Sequence, residues 1–331
     1  MILKRQAYAR AGLVGNPSDG YHGKTISLSL RSFQAEAVLY EWDTLEILPG
    51  RENQHRFDSV HDLVKDVKLH GYYGGVRLVK ATIKKFVEYC YAQKVDLHRQ
   101  NFSIRFESNI PRQVGLAGSS AIITATLRCL MDFYQVAIPQ VVQPSLILSV
   151  ENEELGITAG LQDRVIQVYE GLVYMDFSKE RLQTTQGYQH GVYEPMDWKL
   201  LPPLYLAYKT DVSEPTEVFH NDIRGRYLRG EVQVLGAMKT FANLAAEAYT
   251  ALQQRDYEKL RWCMDKNFDT RRSIYQLPAG QIEMIEVARS VGASAKFAGS
   301  GGAIIGCYQD EAMYQQLEKV LSGIGCRIFR P

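Results

Sequence analysis

Apolar residues alternate with polar ones early in the chain and later recur every three or four positions. Ala7 to Val14, Thr25 to Leu30 and Ala35 to Leu39 carry the alternating or β-branched patterns of strands, punctuated by Gly, Pro, Asn and Asp. Two helical stretches follow, from about Ser59 to Leu69 and from Gly75 to Tyr91. In the second, Val76, Val79, Ile83, Phe86, Val87 and Cys90 mark one buried face. A strand from Phe102 to Glu107 leads into a Gly-rich loop and a helix with Ile122, Ala125, Cys129, Leu130 and Phe133 on one side. Pro139 opens another helix toward Leu155. The polar, aperiodic stretch from Lys179 to Pro203 reads as a boundary, which predicts domains over 1–190 and 200–331. Beyond it come a strand at Leu204 to Tyr208, helices to about Ser290 and the segment Ser294 to Phe297. A second Gly-rich turn, a strand at Ala303 to Cys307, a helix at Glu311 to Leu321 and a strand at Arg327 to Phe329 complete the chain. Strands then helices, in two halves, predict an α+β fold.

Composition narrows the function. The 331 residues, 46% of them hydrophobic, are enough for two packed cores. The 38 Lys and Arg nearly cancel the 37 Asp and Glu, leaving +1, which argues against a nucleic-acid partner or a polybasic membrane anchor. Arg128 and Asp132 interrupt the longest apolar run, Ala121 to Ile138, short of the roughly 18 residues of a spanning helix. No membrane partner is expected. Arg10 breaks the apolar run where an export signal would need its core. Five scattered Cys without a C-x-x-C pair fit reduced thiols in a cytoplasmic protein.

Two Gly-rich segments invite a phosphate reading, and they differ in context. Gly20-Tyr21-His22-Gly23-Lys24-Thr25 ends like a Walker loop, but Ser18 stands where the first Gly belongs. The residues after it, Thr25 to Leu30, alternate like a strand, whereas a phosphate loop must open a helix. A turn between strands is the better reading, with Lys24 available to a ligand. Pro111 to Ala121 (PRQVGLAGSSA) has the right context: Gly115 and Gly118 permit close backbone approach, and an apolar-faced helix begins at once. Helix-end amides there suit a di- or triphosphate, and the hydroxyls of Ser119 and Ser120 could cap the helix or ligate Mg²⁺. An ordinary serine cap, worth about 1 kcal/mol, would need no ligand.

The segment Pro111 to Ala121 resembles the phosphate-binding motif of the GHMP kinases, Pro-x-x-x-Gly-Leu-x-Gly-Ser-Ser-Ala. Arg10 to Asp19 (RAGLVGNPSD) is similar to that family's first motif, and Lys296 to Gly302 (KFAGSGG) to its C-terminal Gly turn. The resemblance implies the GHMP kinase fold: an N-terminal domain like ribosomal protein S5 domain 2, a C-terminal ferredoxin-like domain, and an active site between them. It also implies ATP as co-substrate and Mg²⁺ as cofactor. Pro111, Gly115, Leu116, Ala117, Gly118, Ser119, Ser120 and Ala121 would then bind nucleotide phosphate.

Phosphorylating a hydroxyl calls for Mg²⁺ to offset phosphate charge and a group to accept a proton. Glu151 to Asp163 (ENEELGITAGLQD) offers the carboxylates. By resemblance, Glu151 with Ser120 would hold the metal and Asp163 would act as base or orient the hydroxyl. One extra residue before Asp163 keeps Glu154 open as the metal ligand, and Ser119 stays open beside Ser120. Without the resemblance, Asp163 reads as a helix cap and the glutamates as a solvated helix end.

The stretch Ala7 to Ser29 is similar to the branch of the family that phosphorylates the anomeric hydroxyl of D-glucuronate. A sugar-acid substrate needs a cation for its carboxylate and polar partners for its hydroxyls. Arg10, Lys24, Arg164, Arg271 and Arg272 are the cations near the motifs. Arg10, Asn16, Asp19, Tyr21, Lys24, Gly299, Ser300 and Gly301 form the expected substrate set. Tyr72 and Tyr73 could flank the adenine, but core or surface packing is the better reading. The rival readings are a GHMP kinase for another sugar or small alcohol, and a non-catalytic sensor of nucleotide and sugar on the same fold.

Overall fold

A computed structural model describes residues 1–48, 74–209 and 223–331. The helix expected over Ser59 to Leu69, and Tyr72 with Tyr73, lie outside the described residues.

One long antiparallel pair organises the first half. Strand β1 (Ile2–Val14) runs against β2 (Lys24–Trp42), with Ala7, Ala9, Ala11 and Leu13 alternating into the core. The strands expected at Thr25 and Ala35 are therefore one strand. Its register shifts between Tyr8, opposite Gln34, and Ala9, opposite Leu30, so a bulge absorbs Arg31 to Phe33 and the inward alternation resumes beyond it.

The other edge of β2 is shared. β4 (Asn101–Ser108) pairs with its second half, and β5 (Leu172–Asp176) with its first. The short β3 (Glu46–Leu48) lies parallel to β4. Helices α1 (Val76–Ala92), α2 (Gly118–Phe133), α3 (Gln143–Ser149) and α4 (Gln162–Tyr169) belong to this half, and α2 packs directly on β1 and β2. The helix expected from Pro139 begins only at Gln143, after a turn closed by Val142 N–H donating to Pro139 O. It then widens into a π turn over Val150–Glu154.

The polar stretch after Lys179 is ordered by local pairing. It holds the hairpin β6 (Gln183–Thr185) and β7 (Tyr188–His190), then β8 (Val192–Met196), which pairs with β5 at the edge of the first sheet. The chain thus leaves the first sheet after Met196 and enters the second at Leu204.

That second sheet is antiparallel, in the order β10 (Lys296–Phe297), β11 (Ala303–Cys307), β9 (Leu204–Lys209), β12 (Cys326–Phe329). Helices α5 (Ile223–Leu228), α6 (Val232–Gln254), α7 (Tyr257–Ile274), α8 (Ala279–Ser290) and α9 (Glu311–Gly323) complete the half. Strand β9 shows how the halves join. Leu204, Leu206 and Tyr208 face the large core that also contains Ala7 and Leu30, while Tyr205 and Ala207 face the second core with Phe268, Ile285 and Leu317. All five Cys are buried free thiols. Among the described residues no helix is long and apolar enough to cross a membrane.

Candidate active site

Two glycine turns meet where the halves join. Gly115 has φ +71, and a Cβ on it would fall 2.7 Å from Gly301 O and 3.0 Å from Ser300 N. A Cβ on Gly299 would collide with Gly115 O and lie 2.6 Å from Arg10 Nη1. Only glycine lets the loop of residues 111–117 lie this close to the turn of residues 299–302.

Behind the loop, α2 starts without a side-chain cap, after Ala117 in the left-handed region at φ 64. Its first backbone bond is Ala121 N–H to Ala117 O, so the amides of Gly118, Ser119 and Ser120 have no backbone acceptor. The serines are not caps. Ser119 Oγ donates to Glu151 Oε1 at 2.8 Å, whereas the buried Ser120 Oγ turns back to Ala117 O at 3.3 Å. Ala121 is fully buried beneath the loop, Leu116 O accepts from Arg10 N–H, and Pro111 stands half-buried at the loop's entry.

Arg10, on β1, ties these parts together. Its Nε donates to Asp163 Oδ1 at 2.6 Å, and its Nη1 donates to Gly115 O at 2.7 Å and to Ala298 O at 3.1 Å. One guanidinium thus reaches α4, the loop before α2, and the residue preceding Gly299. Asp163 is the second residue of α4 and caps nothing. Burial would raise its carboxyl, but Arg10 and Arg164 outweigh that and hold it below the usual carboxylate range.

The π turn selects among the glutamates. Glu151 is buried and accepts from Arg164 Nε at 2.7 Å and from its Nη2 as well. Glu153 and Glu154 face outward to Lys85 and Lys84, each at 2.7 Å. A π turn inserts one residue and rotates the helix positions beyond it, which is the physical reason Glu151 rather than Glu154 meets Ser119. The hydroxyl of Ser119 and Oε1 of Glu151 form an all-oxygen pair suited to a hard cation. Among the described residues no cluster of three or more His, Cys, Asp or Glu gathers, so a metal held here would need oxygens from a ligand.

Asp19, on the 3₁₀ turn Ser18–Tyr21, stands beside Asp163 and accepts from Gln162 N–H at 3.1 Å. Burial first, then the Asp163 carboxylate, pushes its pKa up to about 6. Gly160 makes the approach possible, because a Cβ there would strike the Asp19 carboxylate. Tyr21 packs against Tyr227 with ring centroids 4.7 Å apart.

Other expected substrate residues are engaged elsewhere. Asn16 Oδ1 accepts from Lys296 Nζ at 2.7 Å, and Asn16 O accepts from Asn267 Nδ2 at 3.1 Å. Lys24 Nζ faces Asp176 Oδ2 at 3.3 Å, so the structure does not bring it into the Arg10–Asp163 cluster. Gly299 O and Ser300 O accept from Arg271 Nη1 and Nη2, both at 2.8 Å, and Gly301 has φ 152 beside Gln281.

Two buried cations brace the C-terminal turn: Lys296, given no role from the sequence, and Arg271, one of the cations considered for the carboxylate. Lys296 donates to Gly12 O, Asn16 Oδ1 and Phe297 O, each at 2.7 Å, and burial, then Arg271 and Arg10, drives its pKa well below the lysine value. Arg271 lies against the rings of Tyr275 and Phe297, and its buried Nε has no partner. Lys296 was visible as the first residue of the C-terminal motif. Asn267, whose Oδ1 accepts from Gly15 N–H at 2.6 Å, carried no sequence signal at all.

A glycine loop at a helix start, a carboxylate held by arginine and a second glycine turn therefore meet in one place, in a chain whose relatives are kinases. Residues 77–171 match the family described as GHMP kinases N terminal domain. The chain is 47% identical over 309 residues to Glucuronokinase 1 of Arabidopsis thaliana, a match spanning 92% of this chain and 84% of that protein. Probable glucuronokinase 2 of the same plant is 48% identical over 311 residues, with the same two coverages. The chain belongs to the GHMP kinase family, as its three motifs implied. The solved structure of Streptococcus pneumoniae phosphomevalonate kinase in complex with phosphomevalonate and AMPPNP has the same fold, with a TM-score of 0.75 at 13% identity over 99% of this chain and 100% of that one.

Proposed function

We propose that this protein transfers the γ-phosphoryl group of ATP to the anomeric hydroxyl of D-glucuronate, giving D-glucuronate 1-phosphate and ADP. The observation that carries the chemistry is the Arg10 guanidinium, which holds Asp163 at 2.6 Å and the carbonyl of Gly115 at 2.7 Å. The proton-accepting carboxylate and the phosphate loop are thereby fixed to one rigid group. The acceptor assignment rests on the near half identity to the Arabidopsis glucuronokinases.

ATP phosphates would lie on the free amides of Gly118, Ser119 and Ser120, where the positive end of α2 favours negative charge. Ser119 and Glu151 would hold Mg²⁺. Bound Mg²⁺ supplies neutralisation of the charge on the β- and γ-phosphates. The anomeric oxygen forms the new bond to the γ-phosphorus while the bond to the β–γ bridging oxygen breaks, and that electron pair leaves with ADP. The hydroxyl proton passes to Asp163. Arg10 keeps Asp163 ionised but weakly basic, which suits a loose transition state in which proton transfer lags behind bond cleavage. Asp19 and Tyr21 would hold sugar hydroxyls. Arg10 and Arg271 bring two buried guanidinium charges close together, and of the two only Arg10 has a carboxylate partner, so the cleft favours anionic ligands.

Release of ADP from ATP in the presence of D-glucuronate, compared with galactose and arabinose, tests the proposal. Turnover restricted to a neutral sugar would sink it.

A further inference from the structure

A sugar acid needs a cation for its carboxylate, and most cations around this cleft are spent. Arg10 and Arg164 bind Asp163 and Glu151, Lys24 faces Asp176, and Arg272 pairs with Glu286 at 2.9 Å. Arg271 gives both terminal nitrogens to backbone carbonyls of the glycine turn. Arg224 differs. It is exposed on α5 and makes no hydrogen bond or ion pair with the described residues.

The fold brings this free guanidinium to the acceptor side of the site. Tyr227 lies three residues further along α5, on the same helix face, and its ring packs on Tyr21 at 4.7 Å. Tyr21 closes the turn that carries Asp19, and Asp19 is the neighbour of Asp163. Tyr275, just past α7, joins Tyr21 and Tyr227 around the same small apolar cluster of Ile223, Phe241 and Ile274. Neither Tyr21 nor Tyr275 hydrogen-bonds a described residue through its hydroxyl. Burial raises both phenol pKa values. Asp19 raises each further, and Arg224 opposes the rise at Tyr21, so these groups lie within electrostatic reach of one another.

We propose that Arg224, assisted by the hydroxyls of Tyr21 and Tyr275, forms the carboxylate subsite that separates uronic acids from neutral sugars. The inference rests on the D-glucuronate reading. In a pyranuronate the carboxylate sits on C5, with only the ring oxygen between C5 and the anomeric carbon. Its anchor must therefore lie near Asp163 without occupying the reacting position, and the series Asp163, Asp19, Tyr21, Arg224 meets that requirement. A guanidinium can donate two parallel bonds to a carboxylate while the phenols donate to its remaining lone pairs. A neutral sugar leaves Arg224 hydrated and gains nothing from it.

The test compares wild type, Arg224→Gln and Arg224→Lys with D-glucuronate and with D-glucose, which differs at C6 alone. Arg224→Gln should raise KM for D-glucuronate by about tenfold or more while kcat and KM for ATP stay within about twofold, and Arg224→Lys should recover part of the loss. Turnover of D-glucose should not change between variants. A glucuronate KM in Arg224→Gln within about twofold of wild type overturns the subsite, as does an equal loss with both sugars. A wild-type protein that prefers D-glucose overturns the D-glucuronate reading and the subsite together.

Discussion

Gly299 and Gly115 meet backbone to backbone: a side chain on Gly299 would strike the Gly115 carbonyl oxygen that Arg10 already holds. The contact joins the C-terminal turn to the glycine loop of residues 111–117, and a side chain at either glycine would meet backbone atoms. Gly299→Ala should cost roughly 1–3 kcal/mol of stability and raise the KM for ATP several-fold. Gly236→Ala, in the exposed interior of α6 with open space around it, should instead gain about 0.5–1 kcal/mol. Denaturant midpoints of the two variants should move in opposite directions.

Asp163→Asn preserves shape and an acceptor for Arg10 but removes the negative charge that we propose receives the hydroxyl proton. Turnover should fall by about 10²–10⁴-fold while nucleotide affinity is retained. Near-normal ADP release from this variant would take Asp163 out of the chemistry.

The two serines at the start of α2 should separate cleanly. Ser119 faces Glu151, while Ser120 serves only its own helix start. In Ser119→Ala the Mg²⁺ concentration for half-maximal rate should rise by about tenfold or more, and in Ser120→Ala it should stay within about threefold. A Mg²⁺ titration at fixed ATP reads the difference, and equal shifts would contradict the geometry.

Asp19 carries a pH signature. Its pKa of about 6 in the folded protein exceeds the ordinary 3.8, so the folded state holds this proton more tightly than the unfolded chain. Its contribution is complete below about pH 4 and is lost as the pH climbs through 6. Asp19→Asn keeps an oxygen for Gln162 N–H and has no charge to bury. The variant should match wild type near pH 4 and exceed it by up to about 3 kcal/mol at pH 8, measured by unfolding at both values. A constant difference across that range would contradict the assignment.

Much of the fold was readable residue by residue. Alternation located β1 and both ends of β2, and three-four spacing located α1 and α2. The bulge at Arg31 to Phe33 was hidden, because it exists only relative to the register of β1. The polar run after Lys179 hid β8 for a similar reason: an edge strand exposed on one side needs few apolar residues. The glycine and serine motifs were legible because they act through backbone conformation, which is local.

Pairings were another matter. Sequence by itself determined the α+β class, the family and the residue types available to bind phosphate and accept a proton. Only the tertiary structure decided that Arg10 meets Asp163 across 153 positions, that Lys296 meets Asn16 across 280, that Glu151 turns inward while Glu154 meets Lys84, and that Lys24 is drawn to Asp176. Hydrogen bonds and ion pairs act over a few ångströms, so their partners are chosen by packing rather than by order along the chain.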